Sequence, residues 1–475
     1  MNASVPAQPA LTLAQAPAGS RPAATVFEGI CVLSTVLVVP VALYLGNLAP
    51  HARLLYPVSN FALAAWLYAR RSPWYVGHCL LVFCFVSLVR RLADQQGGWD
   101  PSNPILLTPY LCSLFTVLSF LEYWWRPEPR RIAFFVAMLC CIAYGTALAI
   151  LNDRVLGALV DALKWSIGPL FAVHLLAHRD HLPQLRAVAE PCLVWAGAAM
   201  AAYGIAQFIN PAPWDVFWMR NVAEQGLGAI SQWEPFRVRV FGTMNSPGSL
   251  AAFLSAGIIV GLRRNWPVAL PTVMLMLVGL ALCQYRAIWA ATALGVLAVG
   301  LSRSAALPKS NLLSLLAVAL MASSATAVPR IREVIVQRAA SLKALKDDES
   351  LRSRLEQYAD LTRNDHLAIG EGLAINGASR RLDKQLPVSI DGGLIEIWRA
   401  MGALTGTIFL LSLLAPVVAL FAAPAVQGNL IPYDRAVAAA TFILLPMGSV
   451  HIGECGFCAW MFLGFGLATL PQGRP

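Results

Sequence analysis

Long apolar runs recur through almost the whole chain, and they constrain the fold more than any other feature of the sequence. Each run of roughly 17–25 residues is long enough to cross a hydrocarbon core of about 30 Å. Of the 475 residues, 58% are hydrophobic and only 13% are charged, whereas soluble domains carry about a quarter charged residues. Because backbone polar groups inside lipid must satisfy one another, we expect these runs to be helices.

The sequence therefore predicts an all-α, polytopic helical bundle with about 12–14 transmembrane helices. Two polar segments are too long to be turns and are expected to form larger outer loops. Fourteen candidate spans lie at residues 26–48, 54–69, 73–89, 104–124, 132–151, 156–177, 187–207, 246–262, 267–283, 287–302, 310–329, 402–423, 434–450 and 455–471.

Positive charge in the short loops predicts that both termini are cytoplasmic. The formal net charge of +10 is ordinary for a protein whose cytoplasmic loops collect Lys and Arg, and it predicts no nucleic-acid partner. The expected organisation is a disordered cytoplasmic tail (1–25), N-terminal transmembrane helices (26–207), a first outer loop (208–245), four transmembrane helices (246–329), a large outer loop ending in an amphipathic helix (330–401) and C-terminal transmembrane helices (402–475).

The first candidate binding stretch is RVRVFGTMNSPGSLA, which places Arg237 and Arg239 just before an apolar run. Asn245 or Ser246 is expected to cap the following helix, and Pro247 suits its first turn. Two guanidinium groups beside the free N–H groups of a helix start suit a phosphate or a diphosphate. The alternative is an arginine pair whose charged ends reach the lipid headgroups.

A second candidate is Arg286 in CQYRAIWAA, between two apolar spans with almost no loop to carry it. An ionisable residue at the end of a span, near the interior of a bundle, is a functional candidate. The predicted topology places Arg286 on the same outer side as Arg237 and Arg239. Contact with lipid headgroups is again the alternative.

The large outer loop contains LRSRLEQYADLTRNDHLAIGEG, in which Arg352 and Arg354 begin a predicted helix. Arg352 can pair with Glu356 four residues later, which would be a structural role. Arg354 has no acidic residue at that spacing and is therefore the stronger candidate for binding substrate. Gly370 and Gly372 close the segment.

The stretch SIDGGLIEIWRAMGALTG predicts an amphipathic helix that lies on the membrane before the next span. Glu396 and Arg399 are expected on its polar side. Asp391 stands at its start, either as a helix cap or as a general base that acts on an acceptor group. The apolar stripe of this helix consists of Leu394, Ile397, Trp398 and Met401.

The order of these motifs resembles that of the O-antigen ligase and polymerase superfamily of bacterial envelope glycosyltransferases. The resemblance covers roughly residues 187–423, and the ten residues between Arg237 and Gly248 also fit the arginine–glycine pattern of O-antigen polymerases. It implies a bacterial inner membrane, periplasmic outer loops and a glycan donor carried on undecaprenyl diphosphate. It also implies catalysis without a metal or another cofactor, with the diphosphate held by arginines, here Arg237 or Arg239, Arg286 and Arg354.

One position departs from the ligases of this superfamily, which carry a histidine where this chain has Asp391. The departure favours a polymerase of oligosaccharide repeat units in O-antigen or exopolysaccharide synthesis. An O-antigen ligase or oligosaccharyltransferase of the same superfamily is the first alternative, and a secondary transporter or lipid-linked glycan flippase is the second. The expected partners are the lipid-linked glycan, membrane lipid, and the flippase and chain-length regulator of the same pathway.

Overall fold

The computed structural model describes residues 22–125, 129–224, 232–302, 349–363, 367–377, 379–383, 390, 392–424 and 430–470, and these residues form helices and connecting turns without a β-strand. The helices are α1 (Pro22–Leu33), α2 (Val39–Leu45), α3 (Ala52–Ala69), α4 (Trp74–Gly97), α5 (Thr108–Ser113), α6 (Thr116–Trp124), α7 (Pro129–Leu151), α8 (Val155–Ala177), α9 (Leu182–Ile209), α10 (Pro213–Glu224), α11 (Pro247–Gly261), α12 (Trp266–Leu282), α13 (Arg286–Leu301), α14 (Glu349–Arg363), α15 (Ser379–Leu382), α16 (Gly393–Ala422), α17 (Ile431–Phe442) and α18 (Gly453–Thr469).

Seven helical stretches are long and apolar enough to cross a membrane, and three further apolar helices are shorter. The prediction of a multi-pass helical membrane protein is therefore confirmed at this level. The orientation of the termini, the membrane in which the chain resides and the exact set of spans stay predictions. The predicted N-terminal tail and the predicted span 310–329 fall largely or wholly outside the described residues.

Three stretches differ from the expected boundaries. Helix α4 continues to Gly97, eight residues beyond the predicted end of its span. The predicted outer loop 208–245 contains helix α10, which begins with Asp215 in its first turn. The predicted amphipathic segment and the following span form one helix, α16, with a kink at Gly402, where φ is 76°.

The core of the bundle lies where α18 packs between α8 and α17. Trp165 of α8 and Trp460 of α18 are buried there. All ten cysteines are free, and a free cysteine packs as a small apolar side chain.

The bundle has two ends that differ in chemistry. At one end, here called the site end, α9 finishes and α8, α11, α13, α16 and α18 begin. At the opposite end, α8, α11 and α18 finish, and α9 and α17 begin. Contacts between Gln207 and Phe241, between Ser249 and Glu454, and between Asp161 and Ser379 assemble the site end.

Candidate functional site

The segment 236–246 runs through the site end without regular helix, and most of it is buried. A buried irregular backbone must find hydrogen-bond partners outside itself. The side-chain oxygen of Gln207 accepts from the backbone N–H groups of Phe241 at 3.1 Å and Gly242 at 3.0 Å. Arg91 Nη2 donates to the Gly242 carbonyl at 2.6 Å. Side chains of neighbouring helices therefore hold the segment in place.

Arg91 is fully buried in α4 and lies 3.2 Å from Asp215 of α10. Asp215 also accepts hydrogen bonds from Tyr203 at 2.7 Å and from Gln207 at 2.8 Å. The interpretation of Arg90 and Arg91 as outer-loop charges is wrong, because α4 continues past both of them. Burial and pairing explain why these arginines depart from the charge rule for loops.

The structure separates the two arginines of the RVRV stretch. The Arg237 side chain is 62% exposed and makes local contacts, with Gln232 at 3.0 Å and Glu234 at 2.9 Å. Arg239, two residues later, is half-buried. Arg237 therefore lies at the surface, and Arg239 is the member of the pair that turns into the site end.

Arg239 lies beside the turn that leads to Arg286. The backbone N–H of Val240 donates to the Leu282 carbonyl at 3.2 Å. The Arg239 guanidinium also acts electrostatically on the buried thiol of Cys283. Arg286 is half-buried and begins α13 immediately after this turn. Two of the predicted diphosphate-binding residues are thus carried on adjoining segments.

The start of α11 has the predicted cap. Ser246 is the N-cap, its hydroxyl accepts from the Ser249 N–H at 3.0 Å, and Pro247 follows it. The Ser249 hydroxyl then donates to Glu454 Oε1 at 2.7 Å. Asn245 is half-buried, and its Oδ1 has no hydrogen-bond partner among the described residues. A side chain at the helix start is therefore already bonded to a carboxylate.

Tyr285 connects the α11 start with the loop 448–452. A methyl group added at Gly248 would lie 3.7 Å from its ring carbon Cε2. A methyl group added at Gly448 would lie 3.5 Å from its hydroxyl oxygen. The aromatic ring therefore lies between the arginine-bearing segments and the loop that carries Ser449.

Glu396 of α16 is the centre of a second group of polar residues. Its side chain is buried, with Oε1 accepting from Asn376 at 3.1 Å and Oε2 accepting from the Ser449 hydroxyl. Asn376 also makes two hydrogen bonds to the backbone of Ile390, at 3.3 Å and 3.1 Å. Glu396 therefore faces other polar side chains, and Asn376 and Ser449 contact it inside the bundle.

Asp391, the predicted base or cap, lies outside the described residues. The structure describes the residues on both sides of it, Ile390 and Gly392, and the backbone of each makes a hydrogen bond. Asn376 pairs with the backbone of Ile390, and the Glu396 N–H donates to the Gly392 carbonyl at 2.9 Å. The role of Asp391 stays a prediction, although the backbone on each side of it belongs to the Glu396 group.

Asp161 and Lys164 extend this polar group into α8. They pair at 3.1 Å, and Lys164 also donates to the Ser379 hydroxyl at 2.8 Å. Asp161 accepts from Ser379 and, at 3.1 Å, from the Ala374 N–H. Both residues act electrostatically on Glu396. Asp161 is buried inside the bundle, and Lys164 is half-buried beside it.

Residues 367–377, which belong to the large predicted outer loop, pack on the bundle. Glu371 forms a two-point salt bridge with Arg399, at 2.9 Å and 3.1 Å. The backbone N–H groups of Glu371 and Gly372 donate to the carbonyls of Arg399 at 2.7 Å and Ala400 at 2.9 Å. These contacts bring Asn376 and Ser379 to the Glu396 group.

Helix α14, earlier in the same loop, is the helix that the sequence predicts at Arg352 and Arg354. Arg352 is exposed and pairs with Glu356 at 3.0 Å, as the four-residue spacing predicts. The observed contact of Arg352 is therefore the pair within its own helix, which is the structural role. The backbone at Arg354 is helical, and its side chain lies outside the described residues, so its predicted role stays a prediction.

His451 lies in the loop 448–452, near the Glu396 group, although the sequence places it far from Asp391. Its imidazole is 1% exposed, packs on Trp165 with ring centres 4.6 Å apart, and has no hydrogen-bond partner among the described residues. Burial lowers the pKa of His451 to about 3. The imidazole is therefore neutral at physiological pH and buried away from the surface.

The site end thus combines half-buried guanidinium groups with buried carboxylates, a combination suited to an anionic leaving group and a hydroxyl acceptor. Sequence reasoning missed the roles of Glu396, Glu454, Asp161 and Lys164. Their isolated positions in apolar runs were the available signal. Among the described residues, no cluster of His, Cys, Asp or Glu has the arrangement of a metal site.

Comparisons with known proteins add no relative. No family model, no curated protein and no solved structure matches the chain.

Proposed function

We propose that this protein is a polymerase that joins oligosaccharide repeat units carried on undecaprenyl diphosphate, at the periplasmic face of a bacterial inner membrane. The observation that carries the proposal is that Val240, the residue after Arg239, donates to Leu282 in the turn before Arg286, while Tyr285 of that turn lies beside Gly248 at the start of α11. The motifs that resemble the O-antigen polymerases thus adjoin one another at a single end of the bundle.

In this proposal, Arg239 and Arg286 neutralise the diphosphate as it leaves the transferred sugar. Charge that develops in a partly buried place is stabilised strongly by groups that are already oriented towards it. Asp391 removes the proton from the acceptor hydroxyl, which then attacks the sugar carbon that carries the diphosphate. No metal or other cofactor takes part.

The proposal is tested first by deleting the gene and sizing the undecaprenyl-linked glycans by mass spectrometry. A polymerase predicts that single repeat units accumulate and that long chains disappear. Full-length chains left on the carrier would instead indicate a ligase. Accumulation on the cytoplasmic face alone would indicate a flippase and would contradict the arginine roles.

The arginines provide a matched set of variants. Arg239→Gln and Arg286→Gln are each expected to lower polymer formation by about 100-fold or more, the usual cost of losing one group that stabilises transition-state charge. Arg237→Gln is the control, because Arg237 lies at the surface and is expected to leave polymer within about twofold of the wild type. The amount of inserted protein is measured in parallel, and wild-type polymer from Arg286→Gln would refute the site.

Asp391→Asn separates the two roles open to that residue. As a base, Asp391 is needed for transfer, so the variant would bind undecaprenyl diphosphate normally and form no polymer. As a helix cap, it can be replaced by Asn, which caps about as well as Asp. Unchanged polymer formation would therefore leave Asp391 a structural residue.

A further inference from the structure

A cavity of about 500 Å³ opens at the opposite end of the bundle, away from the candidate site. It lies where α9 and α17 begin and where α11 and α18 finish. Its wall is amphipathic and consists of Leu182, Pro183, Arg186, Ala187, Glu190, Arg263, Arg264, Leu430 and Thr469. The proposed polymerase activity uses none of these residues.

Ion pairs fix the charged wall of this cavity. Arg186 forms a two-point contact with Asp434, at 3.0 Å and 2.6 Å, and contacts Glu190 at 3.3 Å. Glu190 also accepts from Arg263. The Arg186 guanidinium additionally packs over the Phe465 ring, 4.5 Å from its centre. The cationic groups are therefore held in place before any ligand arrives, which lowers the entropic cost of binding.

The wall carries an excess of positive charge and of hydrogen-bond donors. Arg186, Arg263 and Arg264 line the cavity together with one acidic residue, Glu190, and Asp434, outside the lining, pairs with Arg186. Arg186 is only 6% exposed, yet its Nε has no acceptor among the described residues. A buried donor without an acceptor is costly. Arg263, whose side chain is 37% exposed, is the lining arginine that a phosphate can reach from the cavity.

The apolar part of the wall indicates what kind of anion fits. Leu182, Pro183, Ala187 and Leu430 lie beside the arginines. A free inorganic ion would gain nothing from these side chains, whereas a phospholipid presents a phosphate next to its glycerol and acyl carbons. Basic pockets between membrane helices are known binding sites for anionic lipid headgroups.

We propose that this cavity binds the phosphate of an anionic phospholipid headgroup. The phosphate oxygens accept from the guanidinium groups of the arginine-lined wall, and the start of the acyl region lies against Leu182 and Leu430. The bound lipid bridges helices α9, α11 and α17, and so stabilises the folded protein.

The test uses the full chain in nanodiscs of phosphatidylcholine, with and without phosphatidylglycerol. We expect phosphatidylglycerol to raise the unfolding temperature, because a ligand that binds only the folded state stabilises it. We also expect native mass spectrometry to show retained phosphatidylglycerol in preference to phosphatidylcholine. The double variant Arg263→Gln/Arg264→Gln should weaken this binding about tenfold or more, since each lost group is a charged hydrogen-bond donor.

Arg70→Gln is the matched control. Arg70 also lies at the opposite end, its side chain is 52% exposed compared with 37% for Arg263, and it does not line the cavity. The control should retain the lipid as the wild type does. Equal retention of both lipids by the wild type would overturn the proposal, as would undiminished binding by the double variant. Stabilisation by inorganic phosphate but not by phosphatidylglycerol would overturn the assignment to a lipid.

Discussion

Segments 236–246 and 367–377 both lie against the site end without continuous helix, but their backbones find partners in different ways. In the first, Gln207 accepts from two N–H groups and Arg91 donates to a carbonyl, while the Val240 N–H donates to a backbone carbonyl. In the second, the N–H groups of Glu371, Gly372 and Leu373 donate to carbonyls of α16 and α7, and the Ala374 N–H donates to Asp161.

The kink in α16 explains the second arrangement. Gly402 leaves helical geometry, with φ at 76°. A helix that is interrupted leaves the carbonyls of its preceding turn without partners. Arg399 and Ala400 belong to that turn, and their carbonyls accept from the segment 367–377 instead. Two N–H groups of the first segment therefore depend on one side chain, Gln207, whereas the second segment adds three backbone–backbone hydrogen bonds that need a close approach of the two backbones.

The largest expected effect comes from breaking the buried pair that supports the first segment. Arg91→Met leaves Asp215 charged and buried, which costs about 3–5 kcal/mol. We expect a large fall in the unfolding temperature in detergent. Arg91→Met/Asp215→Asn removes both charges and should recover part of the loss. An unchanged unfolding temperature for Arg91→Met would show that the pair does not support the fold.

A smaller effect is expected when the side-chain acceptor is removed. Gln207→Met keeps a similar shape but leaves the N–H groups of Phe241 and Gly242 without a partner. The cost should be about 2–3 kcal/mol, and the segment should become more accessible to protease. Protease resistance equal to that of the wild type would mean that other groups hold the segment.

In the second segment, replacing a glycine should instead lower the stability of the protein. Gly372 has φ of 87°, and an added Cβ would lie 2.3 Å from the Ala149 nitrogen, so Gly372→Ala should cost about 2 kcal/mol or more. Gly377 has φ of 62° with nothing within 4 Å of an added Cβ. Gly377→Ala is the matched control and should cost only about 1 kcal/mol. Equal losses of stability would show that conformation alone, without close packing, sets the cost at Gly372.

Local signals were enough to predict most of the helices. Apolar length located the long apolar helices, and Ser246 and Pro247 marked the start of α11 correctly. The main boundary error, at the end of α4, arose because Arg90 and Arg91 were counted as loop charges. Arg90 pairs with Asp94 four residues later in the same helix, but the buried partner of Arg91, Asp215, comes from another part of the chain.

The candidate site was predictable only in part, for the same reason. Arg239 and Arg286 stood out because each is an isolated charge next to an apolar run. The Glu396 group did not stand out in the sequence. Its hydrogen bonds join residues 14, 20 and 53 positions apart, and no local pattern encodes such contacts. Likewise, the contact of Val240 with Leu282 was needed to decide which of Arg237 and Arg239 turns into the site end.

The pairing of Asp161 with Lys164 has a consequence for the order in which the chain is made. Their later partner, the N–H of Ala374, follows Asp161 by 213 residues, so helix α8 leaves the ribosome long before that partner exists. Because the two charges are three residues apart in one helix, they can neutralise each other during this interval. The same salt bridge that belongs to the Glu396 group in the finished fold therefore lowers the cost of holding α8 in the membrane before the segment 367–377 is made.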